Sequence, residues 1–212
     1  MTSDNWFYGT ALLISWLGYF IVHSLLASLT VKRWVAAHKP GFIPAYRLAF
    51  NLIAVALLVP IVWLTALQAW PVLWQWQGTA SWIANVLKGL ALLGFIWSLK
   101  YYDLQEFFGF KQWRMHQLIP EDQESFRLSP LHRFVRHPWY FFALVLLWTQ
   151  DMNVGKLITS GMATLYLMIG SRMEEKKLLV YHGERYRRYM ERVPGPFPLP
   201  WKFLRRDEAQ GL

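Results

Sequence analysis

The sequence contains no cysteine. This absence excludes disulfide bonds, thiolate metal sites, a cysteine nucleophile and S-acylation, so a reacting thiol would have to come from a substrate. Acidic residues are also scarce, since 13 Asp and Glu stand against 22 Lys and Arg. We interpret the net charge of +9 as the positive-inside bias of a membrane protein and an attraction to anionic lipid, not as nucleic-acid binding.

Long polar stretches are rare as well. Charged residues make up 17% of the chain and hydrophobic residues 55%, which favours the membrane class. The first apolar run lacks a basic n-region and a small-residue cleavage site, so we expect a retained span and not a signal peptide. The runs predict five membrane spans, at residues 6–29, 45–67, 82–101, 139–151 and 154–171.

The last two runs lie close together in the sequence. Residues 139–151 are few for a full crossing, so we expect a tight hairpin with the fifth run through Asp151, Met152 and Asn153. The fifth run is expected to continue as an amphipathic helix to Met190. No internal repeat is present.

The distribution of Lys and Arg predicts the orientation. The first loop carries four, the third loop six and the C-terminal tail ten, whereas the N-terminus and the second loop carry none. By the positive-inside rule the N-terminus lies outside and the C-terminus in the cytoplasm. The sequence therefore predicts an all-α fold, a polytopic helical bundle of about five spans forming one integral membrane domain over residues 1–212.

His23, Asn51 and Lys88 are among the polar side chains that fall inside the predicted spans. His23 lies near the cytoplasmic end of the first span, and Asn51 lies one turn beyond Arg47 in the second. Such residues are either functional or form hydrogen bonds between helices, and both interpretations stay open for His23 and Asn51. Lys88 is expected to extend its ammonium group toward the outer surface.

A polar motif opens the fourth run. It reads Arg136, His137, Pro138, Trp139, Tyr140, and Pro138 suits the first turn of a helix. The N–H groups of that turn could bind an anionic group such as a carboxylate. Alternatively, the motif is an ordinary basic flank with an interfacial tyrosine.

A second motif follows the fifth run. Arg172 precedes the acidic pair Glu174 and Glu175, which is unusual directly after a hydrophobic span in a tail rich in cations. Glu175 shares one helical face with Leu179 and His182. Ion pairs along a solvated helix would be the simpler explanation.

Together the motifs resemble the isoprenylcysteine carboxyl methyltransferase superfamily of membrane methyltransferases. In that superfamily an Arg-His-Pro-x-Tyr entry precedes Glu-Glu-x-x-Leu, an aromatic-Gly-x-x-Tyr-x-x-Tyr segment and a Val-Pro stop. Further pieces are His23 to Ser28, Val31 to Trp34, Tyr46 to Leu48 with Asn51, and Thr164 to Gly170 before Arg172. Through these pieces the chain looks most like the bacterial methanethiol S-methyltransferase branch, which implies the bacterial inner membrane as its location. The superfamily match covers about residues 126–198, through Arg136–Tyr140, Glu174 to Leu178, His182 to Tyr189, and Val193-Pro194.

The resemblance implies S-adenosylmethionine as cofactor and assigns roles to residues. There are two departures from the pattern. Phe141 and Phe142 occupy the place of a common glycine, which would narrow the cofactor or substrate channel, and His182 replaces an aromatic residue. The implied roles are a cofactor site of Arg136, His137, Tyr140, Glu174, Glu175, Tyr186 and Tyr189, a catalytic Arg172, and a substrate side of Arg47 and Asn51.

The cofactor-binding half is therefore expected at residues 126–198, and the expected reaction is methyl transfer to a small or lipophilic thiol. His23 is the candidate base, since the pKa of histidine lies near working pH. Methanethiol is the first expected acceptor. The alternatives are isoprenylcysteine carboxyl or phospholipid methylation, a sterol-reductase-like NADPH enzyme, and a non-enzymatic membrane factor linked to denitrification. Membrane lipid is the expected partner, no metal site or nucleic acid is expected, and the oligomeric state stays open.

Overall fold

A computed structural model describes residues 3–118 and 128–210. Phe126 and Arg127, the first two residues of the segment 126–198, lie outside the described residues. The described chain is mostly helical, as predicted. Its elements are α1 (Ser3–Ala27), α2 (Leu29–His38), α3 (Ile43–Leu67), β1 (Val72–Trp74), α4 (Gly78–Ser98), α5 (Leu104–Phe108), α6 (Phe110–Arg114), α7 (Pro138–Trp148), β2 (Met152–Asn153), α8 (Val154–Arg192) and α9 (Arg206–Gln210), with 3-10 turns at Pro40–Phe42, Leu99–Tyr101 and Pro130–Arg133.

Three helical stretches are long and apolar enough to cross a membrane. They are Asp4–Ala27, Pro40–Ala66 and Gly78–Tyr101, and they coincide with the first three predicted spans. The first stretch ends two residues earlier than predicted, because the Ser28 hydroxyl accepts the Val31 N–H group and starts α2. Large apolar side chains are exposed along these helices, as expected for lipid-facing surfaces. The chain is therefore an all-α membrane protein.

The fourth and fifth predicted spans correspond to α7 and α8. Helix α7 has 11 residues and is short for a crossing of about 30 Å. Helix α8 runs from Val154 to Arg192 with a kink at Gly183, so the fifth run extends into the tail as predicted, but as two helices that meet at this kink. Gly183 has φ +52° and ψ −129°, a conformation open to glycine and strained for other residues. The total of five spans and the orientation of the termini stay predictions.

The chain divides into two compact units. The first contains Met1–Leu73, Tyr102–Glu124 and Asn153–Met162, and the second contains Trp74–Tyr101, Ser125–Met152 and Ala163–Leu212. In the first unit α1 packs on α3. Thr159 of α8 links to both helices, since its hydroxyl lies 2.7 Å from the Thr65 hydroxyl and accepts the Trp16 indole N–H at 3.5 Å. Small polar groups thus join apolar helices within this unit.

The turn between α5 and α6 packs closely on α3 in the first unit. Gly109 at this turn has φ +91°. A Cβ atom at position 109 would lie 2.7 Å from the backbone nitrogen of Leu48. Both the backbone conformation and the close approach therefore require glycine at this turn.

In the second unit α4 packs on α7. The Phe142 ring lies over Gly94, where a Cβ atom would come within 2.6 Å of the ring. Beyond α7, residues of the tail form a small core of Tyr186, Tyr189, Val193 and Leu204. This core holds the end of α8 in place beside the segment that precedes α7.

We expect Gly109→Ala to destabilise the protein by about 2 kcal/mol, which lowers the melting temperature by about 5 °C. The cause is the strained φ together with the contact on the α3 backbone. Thermal unfolding in detergent, followed by circular dichroism, measures the change. Gly18→Ala is the matched control, because a Cβ atom there meets nothing within 4 Å. Equal melting temperatures for both variants would contradict the prediction.

Candidate functional site

The candidate site begins at the first turn of α7. Pro138 is the first helical residue and His137 precedes it, as predicted, and no side chain caps the first N–H groups. The Trp139 indole donates to the Ser98 hydroxyl at 2.8 Å. Because Ser98 is the last residue of α4, the first turn of α7 lies level with one end of a candidate membrane span.

Glu175 of α8 is the centre of a buried polar network. Its Oε1 atom accepts hydrogen bonds from Arg136 Nε at 2.8 Å and from His137 Nε2 at 2.9 Å. Arg136 Nη1 also donates to the carbonyl oxygens of Met190 at 2.9 Å and Val193 at 2.6 Å. The Arg136 guanidinium thus joins the segment just before α7 both to Glu175 and to the end of α8.

Glu174 is the more accessible of the two glutamates, with 49% of its side chain exposed. Its Oε2 atom accepts the Tyr140 hydroxyl at 3.2 Å and lies 3.5 Å from His137 Nδ1. The His137 and Tyr140 rings stack at 5.1 Å with an interplanar angle of 14°. A half-exposed carboxylate therefore lies beside a stacked pair of rings.

The electrostatics favour an ion pair in the network. Burial disfavours a charged His137, but hydrogen bonds to Glu174 and Glu175 outweigh it and raise the pKa of His137. Burial also disfavours a charged Glu175, but hydrogen bonds from His137 and Arg136 outweigh it and lower the pKa of this carboxyl group. Both ring nitrogens of His137 then act as donors, one toward each glutamate.

His132 is a residue of this region that the sequence analysis missed. Its Nδ1 atom accepts the Ser129 backbone N–H at 3.2 Å and lies 2.7 Å from the Ser129 hydroxyl. Burial and the nearby charge of His137 lower the pKa of His132 to about 4, so it is neutral near pH 7. The Ser129-x-x-His132 spacing, which forms a capping box around a short helical turn, was the available signal.

Tyr186 and Tyr189 lie inside the core of the tail, each 2% exposed. The Tyr189 hydroxyl donates to the His132 carbonyl oxygen at 2.7 Å. Burial raises the pKa of Tyr186 well above its ordinary value. In the structure these two residues belong to the tail core, which supports the segment before α7.

The other predicted residues of the second unit have simpler surroundings. The Arg172 side chain is exposed and forms no hydrogen bond or ion pair to another residue within the described ranges. Phe142 is directed toward Gly94 of α4. The centroids of the Phe141 and Phe142 rings lie 5.7 Å apart. His182 is half-buried, one residue before the break in α8.

Arg47, Asn51 and His23 belong to the first unit. Arg47 Nε and Asn51 Nδ2 each donate to the Phe107 carbonyl oxygen at 3.1 Å, and Asn51 also donates to that of Phe108 at 3.1 Å. These bonds satisfy carbonyl groups at the end of α5. His23 stacks on Tyr19 at 5.2 Å and contacts Phe50 at 4.8 Å. The first unit thus holds the residues predicted for the substrate side, and the second holds those predicted for the cofactor.

The two histidines predict a stability maximum near pH 6.5. The raised pKa of His137 contributes stability that is complete below its ordinary pKa of 6.5 and is lost as the pH rises through the folded value. The lowered pKa of His132 contributes stability that is complete above 6.5 and is lost as the pH falls toward about 4. The melting temperature should therefore decrease on both sides, which thermal unfolding from pH 4.5 to 8.5 measures.

Single variants separate the two limbs of this pH profile. His137→Gln should remove the decrease on the alkaline side, and His132→Asn should remove the decrease on the acidic side. A profile that is unchanged by both substitutions would contradict the assignment.

Comparisons with known proteins find relatives that are similar over most of the chain. Methanethiol S-methyltransferase of Pseudomonas deceptionensis is 32% identical over 192 residues, which cover 82% of this chain and 67% of that protein. Methanethiol S-methyltransferase 2 of Bradyrhizobium diazoefficiens is 30% identical over 194 residues, covering 91% and 74% respectively. Nurim of Bos taurus, of the isoprenylcysteine methyltransferase family, is 24% identical over 179 residues, covering 78% and 66%.

No family model matches the chain, and no solved structure matches it. The two bacterial relatives are nevertheless 32% and 30% identical over most of both chains. The chain therefore belongs to the methanethiol S-methyltransferase family of methyltransferases, within the isoprenylcysteine methyltransferase superfamily.

Proposed function

We propose that this protein transfers a methyl group from S-adenosylmethionine to a small or lipophilic thiol, with methanethiol as the first acceptor to test. The observation that carries the proposal is the cluster of Glu174, His137 and Tyr140 at the end of a candidate span. The names of the bacterial relatives support the same chemistry.

The residues of the cluster fit the chemical groups of the cofactor. S-adenosylmethionine, when bound, supplies an activated methyl group on a positively charged sulfur. The half-exposed Glu174 carboxylate suits the ribose hydroxyls or the ammonium group, and the ring of Tyr140 suits a cation or the adenine face. The uncapped N–H groups at the start of α7 and the exposed Arg172 suit a carboxylate.

The two adjacent glutamates have different surroundings, which suggests different roles. The Glu175 carboxylate accepts hydrogen bonds from Arg136 and His137, and the residue is only 8% exposed. Its partners are therefore other residues of the protein. Glu174 retains an accessible surface. We assign Glu174 to the cofactor and Glu175 to holding His137 and Arg136, with Tyr186 and Tyr189 supporting the site from the core.

The acceptor thiol must lose its proton before it attacks. A thiol with a pKa of about 8.5 is only a few per cent ionised at neutral pH. His23 is the proposed base, and its ring lies between aromatic neighbours within the first unit. We propose that Arg47 and Asn51 support this substrate side by holding the carbonyl groups at the end of α5.

The proposed location is the bacterial inner membrane, with the site on the cytoplasmic face. The asymmetry of Lys and Arg between alternate loops supports this orientation. It also supports the proposed topology of about five spans in one membrane domain, with the N-terminus outside.

Glu174→Gln should weaken the binding of S-adenosylhomocysteine about tenfold to a hundredfold, because a charged hydrogen-bond partner is lost. The melting temperature should change little, since Glu174 is half exposed. Calorimetric titration of the protein purified in detergent measures the affinity, with NADPH as the parallel ligand. Tight binding of NADPH and not of S-adenosylhomocysteine would favour a reductase.

Glu175→Gln is the matched variant, one residue along the same helix. It should lower stability by about 3 kcal/mol, because two buried cationic partners lose their counter-charge. Thermal unfolding measures this loss. Equal effects of both substitutions on affinity and on melting temperature would contradict the division of roles, and failure of the unmodified protein to bind either ligand would contradict the enzyme assignment.

His23→Ala should reduce turnover of methanethiol about a hundredfold at pH 7, as expected for loss of a general base. Part of the loss should be recovered at pH 9, where more of the thiol is ionised. Product formation measured from pH 6 to 9 tests this. His38→Ala is the control, because His38 is exposed at the end of α2 in the same unit. Wild-type turnover across this range would exclude His23 as the base.

A further inference from the structure

A short segment after α8 exposes aromatic and basic side chains together. We name residues 197–206 the aromatic turn. Leu199 and Lys202 form an isolated antiparallel bridge, and the Lys202 N–H donates to the Leu199 carbonyl oxygen at 3.1 Å. Pro200 and Trp201 occupy the centre of this tight turn, and Trp201 is 74% exposed. The turn thus presents a large indole ring at its tip.

The aromatic turn is anchored to the rest of the second unit. Leu204 is 2% exposed within the tail core, and its backbone N–H donates to the Arg133 carbonyl oxygen at 2.9 Å. Arg133 Nε donates in return to the Leu204 carbonyl oxygen at 3.0 Å. Glu208 of α9 pairs with Arg192 at the end of α8. The exposed rings therefore belong to a segment that is packed and hydrogen-bonded to the rest of the second unit.

The exposed surface of the aromatic turn is both apolar and positively charged. Phe197 and Phe203 are exposed beside Trp201, and the Phe203 ring stacks on that of Phe134 at 6.1 Å. The turn contains three cationic residues and no acidic residue. The cationic residues are Lys202, Arg205 and Arg206, all exposed.

The place of the aromatic turn in its unit indicates what this surface contacts. It is bonded to Arg133, six residues before Trp139, and Trp139 binds Ser98 at the end of the α4 span. The turn is therefore bonded to the segment that leads, within a few residues, to the end of a candidate membrane span. Aromatic rings with adjacent cations at that level match the interface of a bilayer that contains anionic lipid.

We propose that the aromatic turn is a membrane-interface anchor. Trp201 inserts among the lipid headgroups, and Lys202, Arg205 and Arg206 bind the phosphates of anionic lipids. Positive charges near such a surface are attracted within about a Debye length, so the contact depends on lipid charge and on salt. This anchor is independent of the proposed methyl transfer.

The absence of cysteine allows a site-specific test. A nitroxide attached to Trp201→Cys is the single label on the full chain, which is reconstituted in nanodiscs of zwitterionic lipid with or without 30% anionic lipid. Electron paramagnetic resonance then compares collisions with oxygen, which concentrates in the bilayer, and with a water-soluble nickel chelate. In anionic nanodiscs we expect the label at position 201 to collide more often with oxygen than with the nickel chelate.

Two further variants control the measurement. A nitroxide at Arg187→Cys reports an exposed position of α8 outside the turn and should favour the nickel chelate in both lipids. Changing Lys202, Arg205 and Arg206 together to Gln should shift the label at position 201 toward the nickel chelate in anionic nanodiscs. An unchanged melting temperature and circular dichroism spectrum of each labelled protein, relative to the unlabelled protein, show that the fold is intact.

Three results would overturn the proposal. The label at position 201 could be as accessible to the nickel chelate as the label at position 187 in both lipids. The label at position 201 could also be equally inaccessible to the nickel chelate with and without anionic lipid, and with and without the three cationic residues. That result would indicate that the label is buried against protein. Finally, spin–spin broadening between labels would indicate a contact between copies of this chain.

Discussion

The arrangement of the second unit depends on the ion pair between Arg136 and Glu175. The guanidinium group binds the carboxylate and two carbonyl oxygens at the end of α8, so one side chain connects two separate stretches of sequence. His137 completes the network and is thereby oriented against Tyr140. Because these charges are buried, each is costly without the others, and the start of α7 and the end of α8 stabilise each other's position.

The fold could be predicted where a short-range pattern decides it. Three spans followed from apolar length, and the start of α7 followed from Pro138. The end of α7 is a harder case, because the predicted run extended to Asp151 whereas the helix ends at Trp148. The Asp151 carboxylate accepts the Trp76 backbone N–H, a partner 75 residues away that no local pattern indicates.

The site could be predicted only in part, because motif spacing does not show which way a side chain points. The spacing grouped Glu174 with Glu175, yet one is half exposed and the other buried. Tyr186 and Tyr189 have a spacing that fits a cofactor wall and a core equally well, and they form a core. His132 was overlooked because its importance depends on contacts made only in the folded chain.

The neighbouring positions of the two glutamates make the register of α8 a constraint on the evolution of the chain. Successive residues of an α-helix point about 100° apart, so one carboxylate faces inward and the next faces outward. Insertion or deletion of a single residue in the preceding turns of α8 would rotate both and exchange their surroundings. Relatives should therefore tolerate changes of length in loops far more readily than within this part of α8.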